Sequence, residues 1–402
     1  MTGDDVDREL LALARAMADA DHEVKRSTSE WARANLAQRD RIAADHDATF
    51  PVDDWRRCAE RGIFRATVPL ERGGTYRDLA TALLTLEGLG HGSRDNGLSY
   101  AIGSQVLSTQ DALVKFATDA QCAEWLEPML SGAKLGAFAM TEPEVGSDAY
   151  SISTTAVRGP DDMFVINGHK AYITFASRCD MVIVFAVTDP AAGAWGLSAF
   201  IVPADLPGVE RLGNRDKMGM RTTPFGDLRF TDVVVPASAL LGREGAGASI
   251  FNSIVQYERA FVFATQVGAM QRQLEAAIEY ARSREQGGRP IGGYQAISHR
   301  IVDMKQQHET ARLFVYRAAL AAVTGDDVAT TAALAKVVGC EAGIAASMAA
   351  VAIHGATGYV SEFEVERELR DAIGGLVYSG TSDIQRNIIA RLLGVGQSTD
   401  PR

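Results

Sequence analysis

"MFVINGHKAYITF", residues 163–175, marks the sharpest change of texture in this chain. Its β-branched and aromatic residues favour a half-buried strand over a helix. Asn167-Gly168 lies between two such runs and predicts a two-residue hairpin turn. Similar short runs flank it: GAFAMTEP (136–143), TTAVRG (154–159), MVIVFAVTDP (181–190), LSAFIVP (197–203) and DLRFTDVVVP (227–236). Gly159-Pro160-Asp161-Asp162 and Asp189-Pro190 supply turns between them. Residues 134–236 therefore predict a largely antiparallel β region, within a central domain spanning 134–244.

Outward from that centre, both flanks are helical. DRELLALARAMADADHEV (7–24), FPVDDWRRCAERGIF (50–64) and DLATALLTLEGLG (78–90) space apolar residues by three and four. Pro51 with Asp53 and Asp54 marks a helix start, and Gly73-Gly74 a loop. After Gly245 the helical period runs through about 248–283, 294–323, 328–353 and 382–394. The fold class is α+β: a helical domain (1–133), an antiparallel β domain (134–244) and a helical bundle (245–402).

The chain has 402 residues, with 47% hydrophobic and 23% charged residues, which is ordinary for a globular enzyme. The net charge of −11 argues against a nucleic-acid or anionic-membrane partner, which needs a basic face. MTGDDVDREL has no apolar leader segment, and no apolar run approaches the ~20 residues of a membrane span. Both point to the cytoplasm, with no membrane association. Cys58, Cys122, Cys179 and Cys340 are widely spaced, which predicts reduced thiols and no metal site.

Five stretches stand in a telling order: AMTEPEVGSDA (139–149), GHKAYIT (168–174), DKMGMRTTPFGDLRFTDVVVP (216–236), ARSREQGGRPIGGYQAI (281–297) and VERELRDAIGGLVYSGTSDIQR (365–386). Together they resemble the acyl-CoA dehydrogenase family of flavoproteins, over nearly the whole chain. The resemblance implies a C-terminal four-helix bundle, FAD and a homotetramer built as a dimer of dimers. It also implies α,β-dehydrogenation of an acyl thioester, with an α-proton taken by a base and a β-hydride passed to flavin N5. An electron-transferring flavoprotein is the usual acceptor.

The resemblance also implies site residues. Thr141 would meet the flavin pyrimidine edge, and Phe138 and Met140 would offer backbone groups beside it. Ser147 would lie near the FAD phosphates or the pantetheine arm, and Thr174 near N5. Tyr172 stands where the family more often has Trp against the flavin ring, and a tyrosine still stacks. Arg284 would grip the pyrophosphate with Gln286 and Gln295 beside it, across the dimer interface; a forked guanidinium suits two phosphate oxygens. Gly355 is retained, while Gly287, Ala352 and Ala356 replace the usual Phe, Gln and Gly, which predicts weaker or altered FAD contacts. Without the motifs, Thr141 and Thr174 read as ordinary strand residues and Arg284 as a solvated one.

The base is displaced. Much of the family carries Tyr-Glu-Gly-Thr with Glu as the base, whereas here the turn is Tyr378-Ser379-Gly380-Thr381. A serine hydroxyl does not hold the proton at neutral pH without a helper. Glu258 lies on the apolar stripe with Ile254 and Val262, where a carboxylate is costly unless it is paired or functional. Tyr257-Glu258-Arg259 resembles the branch that includes isovaleryl-CoA dehydrogenase, which places the base on this helix. The plain alternative for Glu258 is a structural ion pair; Asp383 is a third candidate base, or a carboxylate near the ribityl or adenosine part of FAD. Tyr257, Arg259, Tyr378, Ser379 and Gly380, with Ser147, are the candidate substrate contacts, Gly380 and Thr381 being the closest backbone. Ser379 reads as a pocket wall that makes room for a branched or cyclic acyl group, so Ser379→Ala is expected to cost little.

The substrate carrier is either CoA or a carrier protein bearing an acyl or aminoacyl group such as prolyl. The Tyr-Glu-Arg-Ala and Tyr-Ser-Gly-Thr-Ser combination resembles dehydrogenases of secondary metabolism. A flavin monooxygenase or oxidase on the same fold, and a non-catalytic flavin-binding scaffold, are the alternatives. Glu258 argues against the first, and the second requires Glu258 to be structural.

Overall fold

The computed structural model describes residues 3–19, 22–36 and 40–395. Helices come first: α1 (Gly3–Ala18), α2 (Glu23–Asn35), α3 (Arg41–His46), α4 (Val52–Glu60), α5 (Leu79–Gly92), α6 (Asn96–Ser104), α7 (Gln110–Phe116), α8 (Asp119–Gln121) and α9 (Glu127–Leu130). Pro51 caps α4, as its position before the acidic first turn predicts. The region 7–24 is not one helix: α1 ends at Ala18 and α2 starts at Glu23, while residues 20 and 21 lie outside the described residues. A π-helical turn at Gln105–Thr109 joins α6 to α7.

Seven strands follow: β1 (Gly136–Ala139), β2 (Thr155–Arg158), β3 (Met163–Thr174), β4 (Met181–Val187), β5 (Leu197–Pro203), β6 (Val209–Asn214) and β7 (Phe225–Pro236). They form one sheet in the order β1-β4-β2-β3-β7-β6, with β5 on β4. The pairs β2–β3, β3–β7, β4–β5 and β6–β7 are antiparallel. β1 and β2 meet β4 in parallel, so the sheet is mixed rather than purely antiparallel. β4 is buried on both faces over Met181–Ala186, which explains its unbroken apolar run.

Asn167-Gly168 is not a hairpin turn. β3 runs through it as one 12-residue strand, and its register with β7 slips between Ile166 and Gly168. Asp232 donates its N–H to Asn167 Oδ1 at 2.8 Å, and Asn167 Nδ2 donates to Asp232 Oδ1 at 3.1 Å. A Cβ on Gly168 would lie 2.3 Å from Thr154 Oγ1. The dipeptide therefore marks a β-bulge with close backbone approach. The turn into β3 is made instead by Asp161 and Asp162, at φ 56° and 57°.

The last third is a bundle: α10 (Gly247–Phe261), α11 (Phe263–Ser283), α12 (Gln295–Thr324), α13 (Val328–His354), α14 (Ala356–Tyr359), α15 (Val365–Ile373) and α16 (Ser382–Leu392). The region 248–283 breaks at Val262, and α15 is a helix that the apolar period did not reveal. α13 packs against α10, α11, α12, α15 and α16. It is long and apolar enough to cross a membrane by length and composition; its place at the centre of the bundle accounts for that composition. α5 and α11 meet through reciprocal glycines, since a Cβ on Gly90 would lie 1.9 Å from Thr265 O and one on Gly268 2.0 Å from Glu87 O. That contact ties the N-terminal helices to the bundle.

Candidate active site

Glu258 lies one turn before the end of α10, and its carbonyl accepts the Val262 N–H where α10 gives way to α11. Ile254 and Phe261, on the buried side of α10, carry it into the interior, where it is 7% exposed. Ser379 Oγ donates to Glu258 Oε1 at 2.7 Å. Burial raises the carboxyl above its ordinary range; the Ser379 hydroxyl, then Arg259 and Lys336, pull the other way without cancelling it. Arg259 does not pair with Glu258. Its Nε donates to Val255 O at 2.9 Å and its Nη1 to Gln385 Oε1 at 3.1 Å. Adjacent helical residues point about 100° apart, which sends the two side chains to different neighbours.

The turn facing Glu258 is built from two successive left-handed residues, Ser379 (φ 54°) and Gly380 (φ 79°). Thr381 then caps α16, accepting the Ile384 N–H at 3.2 Å, so its hydroxyl serves the helix first. Asp383 is exposed and lies near Arg386. Tyr378 stacks obliquely on Tyr100 and Phe263, with centroids 4.7 and 5.5 Å apart. Tyr257 lies over Phe261, with Lys115 Nζ 4.8 Å above its ring.

Three participants had escaped the sequence reading. Tyr100 of α6 reaches the same spot: burial, then the nearby Glu258 charge, raises its phenol, and the Thr174 side chain hydrogen-bonds to it. No motif surrounds Tyr100, so nothing local announces it. Gln385 is fully buried and donates to Ser379 O at 3.3 Å. Lys336, fully buried in α13, donates to Ser382 Oγ at 3.0 Å, and burial brings its ammonium down to about 8. A lone lysine in the apolar stretch AALAKVVGC (332–340) was the legible signal.

The segment 138–174 lies beside this cluster through Thr174. Phe138 is in register with Ile183, and its ring packs edge-on to Phe185 at 5.0 Å. The Met140 carbonyl is engaged by Lys170 Nζ at 2.8 Å, and Lys170 also meets Glu142 Oε1 at 2.9 Å. Burial alone would raise the Glu142 carboxyl; Lys170 with the Ser153 and Thr154 hydrogen bonds holds it down to about 2. This buried knot fixes the loop that presents Thr141, whose carbonyl accepts the Ala171 N–H at 2.9 Å, and the exposed Ser147. Tyr172 is half exposed at φ 60°, its N–H held by Asp227 and its ring next to Arg215 and Phe225.

Arg284, Gln286 and Gln295 are exposed and do not join Glu258. α11 has 21 residues, so about 30 Å of helix separates the two sets. They flank a small hairpin, Glu285–Gln286 paired with Arg289–Pro290, turned by Gly287 and Gly288 at φ 60° and 79°. That conformation explains Gly287, since a side chain there is strained and its Cβ would lie 2.6 Å from Tyr294 Oη. Gly355 ends α13 at φ 61°, ψ −134°, a region open only to glycine, with exposed Ala352 and Ala356 on either side. A dinucleotide fits these features: an unburied aromatic ring on a strand, a left-handed glycine hairpin beside an exposed arginine, and a Cβ-free helix end.

Three family models match the chain: acyl-CoA dehydrogenase N-terminal domain over 18–133, middle domain over 137–233 and C-terminal domain over 245–394. The L-prolyl-[peptidyl-carrier protein] dehydrogenase of Pseudomonas fluorescens is 38% identical over 349 residues, 87% of this chain and 92% of that protein. The crystal structure of the prolyl acyl carrier protein oxidase AnaB superposes with a TM-score of 0.90 at 38% identity, covering 93% of this chain and 98% of that one. PigA with FAD and proline gives 0.89 at 31% identity, covering 94% and 98%. With all three domain models matched in order around a buried carboxylate, the chain belongs to the acyl-CoA dehydrogenase family.

Proposed function

We propose that this enzyme dehydrogenates the Cα–Cβ bond of an aminoacyl group, of the prolyl type, held as a thioester on a carrier protein, and that Glu258 is the base. The observation that carries the reading is Glu258 itself. It is a buried carboxylate to which Ser379 donates and which has no ion pair among the described residues. A structural carboxylate at that depth is normally matched by a cation, whereas a base in a dry pocket is kept unmatched with its pKa raised towards the working pH.

FAD, the family's cofactor, supplies a two-electron acceptor for the β-hydride when bound. Thr141, Tyr172 and Thr174 would hold its ring, with Phe138 and Met140 lending backbone. Arg284, Gln286, Gln295 and Gly355 would meet its pyrophosphate and adenosine, from the partner in a dimer of dimers. Glu258 takes the α-proton on its carboxylate oxygen. Tyr378 and Tyr100 wall the acyl group and exclude water, which keeps the carboxyl pKa raised. Serine in place of the usual glutamate removes a charge and volume beside Tyr378, leaving space for a five-membered ring. Two of the relatives described above are named for prolyl carriers and the third holds proline, which favours a carrier protein over CoA. An electron-transferring flavoprotein as acceptor, cytoplasmic location and domain limits at 133/134 and 244/245 complete the reading.

Anaerobic stopped-flow decides it. Prolyl-carrier thioester should bleach the flavin in a single turnover, faster than butyryl-CoA does. Faster bleaching by straight-chain acyl-CoA would refute the substrate class. Rapid reoxidation by air with a hydroxylated product would refute dehydrogenation.

A further inference from the structure

Ser379 occupies a conformation that a passive wall does not require. Its φ of 54° lies in the left-handed region, where a Cβ is disfavoured and glycine is the low-cost residue. Strain of this kind persists where the surroundings over-determine it. Those surroundings form a ring. Ser379 Oγ donates to Glu258 Oε1 at 2.7 Å, buried Gln385 donates to Ser379 O at 3.3 Å, and Arg259 donates to Gln385 Oε1 at 3.1 Å. Arg259 follows Glu258 on α10 and is anchored there by its bond to Val255 O at 2.9 Å. The loop therefore returns to the helix it started from, tying the 379–380 turn to α10 by two routes.

We propose that Ser379 is a positioning residue for Glu258: its hydroxyl fixes one carboxylate oxygen and leaves Oε2 to accept the proton, while Gln385 and Arg259 hold the strained turn in place. The proposal rests on the reading of Glu258 as the base. It replaces the expectation that Ser379→Ala costs little. Such a donor also stabilises the charged form of the carboxyl, so its loss leaves burial less opposed. The other groups facing Glu258 are Arg259 on its own helix, Lys336 from α13, Tyr100 from α6 and Tyr378 from the turn. None of their side chains depends on the Ser379 hydroxyl, so its removal isolates that one bond.

The test compares wild type, Ser379→Ala, Ser379→Gly and Glu258→Gln by two readouts. One is the pH dependence of anaerobic flavin reduction. The other is the Glu258 carboxyl stretch, titrated by difference infrared spectroscopy on the apoprotein and assigned by its absence in Glu258→Gln. Both Ser379 variants are expected to move the acidic limb and the carboxyl titration upward by about one pH unit, slowing reduction about tenfold on the acid side. Ser379→Gly also relieves the left-handed strain, so it should melt no lower than wild type and remains informative if the alanine variant folds poorly. An unmoved limb and an unmoved titration in Ser379→Gly would overturn the proposal. Retained reduction by Glu258→Gln would overturn the base assignment instead, and the infrared titration would still report on the Ser379 bond by itself.

Discussion

Two buried carboxylates in this molecule sit between helices and meet opposite treatment. Glu87 of α5 is fully buried where α2, α5 and α12 converge. Lys25 Nζ and Arg312 Nε each reach its Oε1 at 2.9 Å, and Tyr316 Oη donates to its Oε2 at 2.7 Å. Burial would raise this carboxyl, but Arg312 and Lys25 outweigh it and hold it down. Glu258, also buried, is met among the described residues by one serine hydroxyl and stays raised. The same contrast recurs elsewhere. Glu142 with Lys170 is held down to about 2, while Asp371, bonded by Met220 N at 2.5 Å and Asn96 Nδ2 at 3.1 Å, is pushed up to about 6 by its burial. Direct cationic contact separates carboxylates fixed in charge from those able to exchange a proton.

The contrast breaks most visibly at Glu258. Glu258→Gln should retain FAD and melting temperature yet lose flavin reduction by ~10³-fold, within the usual range for a general base; stopped-flow with a thioester measures it. An enzyme left fully active would place Glu258 among the structural carboxylates. Glu87→Gln should do the reverse. It leaves Lys25 and Arg312 facing a neutral amide, which should destabilise the fold by about 3–5 kcal/mol in denaturant titration, with the reduction rate per folded flavin unchanged.

Proton linkage tests the contrast more finely. His308, 2% exposed beside the Glu87 cluster, is brought by burial to about 4 despite Glu87 and Glu309. The unfolded chain binds its proton near 6.5 and the folded one does not, so stability falls as pH drops from 6.5 to 4, by up to about 3 kcal/mol. Asp371 acts in the opposite sense. Its carboxyl titrates near 6 when folded and near 3.8 when unfolded, so stability falls as pH rises through that window, by up to about 3 kcal/mol. His308→Leu should expose the Asp371 slope in melting temperature against pH, and Asp371→Asn the His308 slope. Identical profiles for the two variants would mean that neither group is held as its burial implies.

Much of the architecture was legible in the chain. The change of texture near residue 134 and its reversal after 245 follow from the difference between a period of two and one of 3.6. Bundle helices emerged within a few residues of their ends because their apolar stripes are long. α15 escaped because its nine residues are dense in charge, with Glu366, Arg370 and Asp371 engaged by neighbours rather than by solvent. Asn167-Gly168 misled because a turn dipeptide and a bulge share the same local chemistry, and only the Asp232 and Thr154 contacts across the sheet separate them. At the site, the carboxylate at Glu258 was readable from its helical stripe, and the missing one at Ser379 from the resemblance of its turn to the family's. Tyr100 was not, since it arrives from a helix more than 150 residues away.

By itself the sequence determined where a carboxylate lies on a buried stripe, because periodicity is a local property; that the 378–381 turn lacks one followed only from its resemblance to the family's Tyr-Glu-Gly-Thr turn. Whether Glu258 is matched by cations like Glu87 or left without one among the described residues was decided only by the tertiary structure. Arg259 turns towards Gln385, Lys336 donates to Ser382 and Leu376, and among the described residues only the Ser379 side chain hydrogen-bonds to the Glu258 carboxylate. Those are facts about which distant side chains converge, and a carboxyl's proton affinity is set by that convergence rather than by its neighbours in the chain.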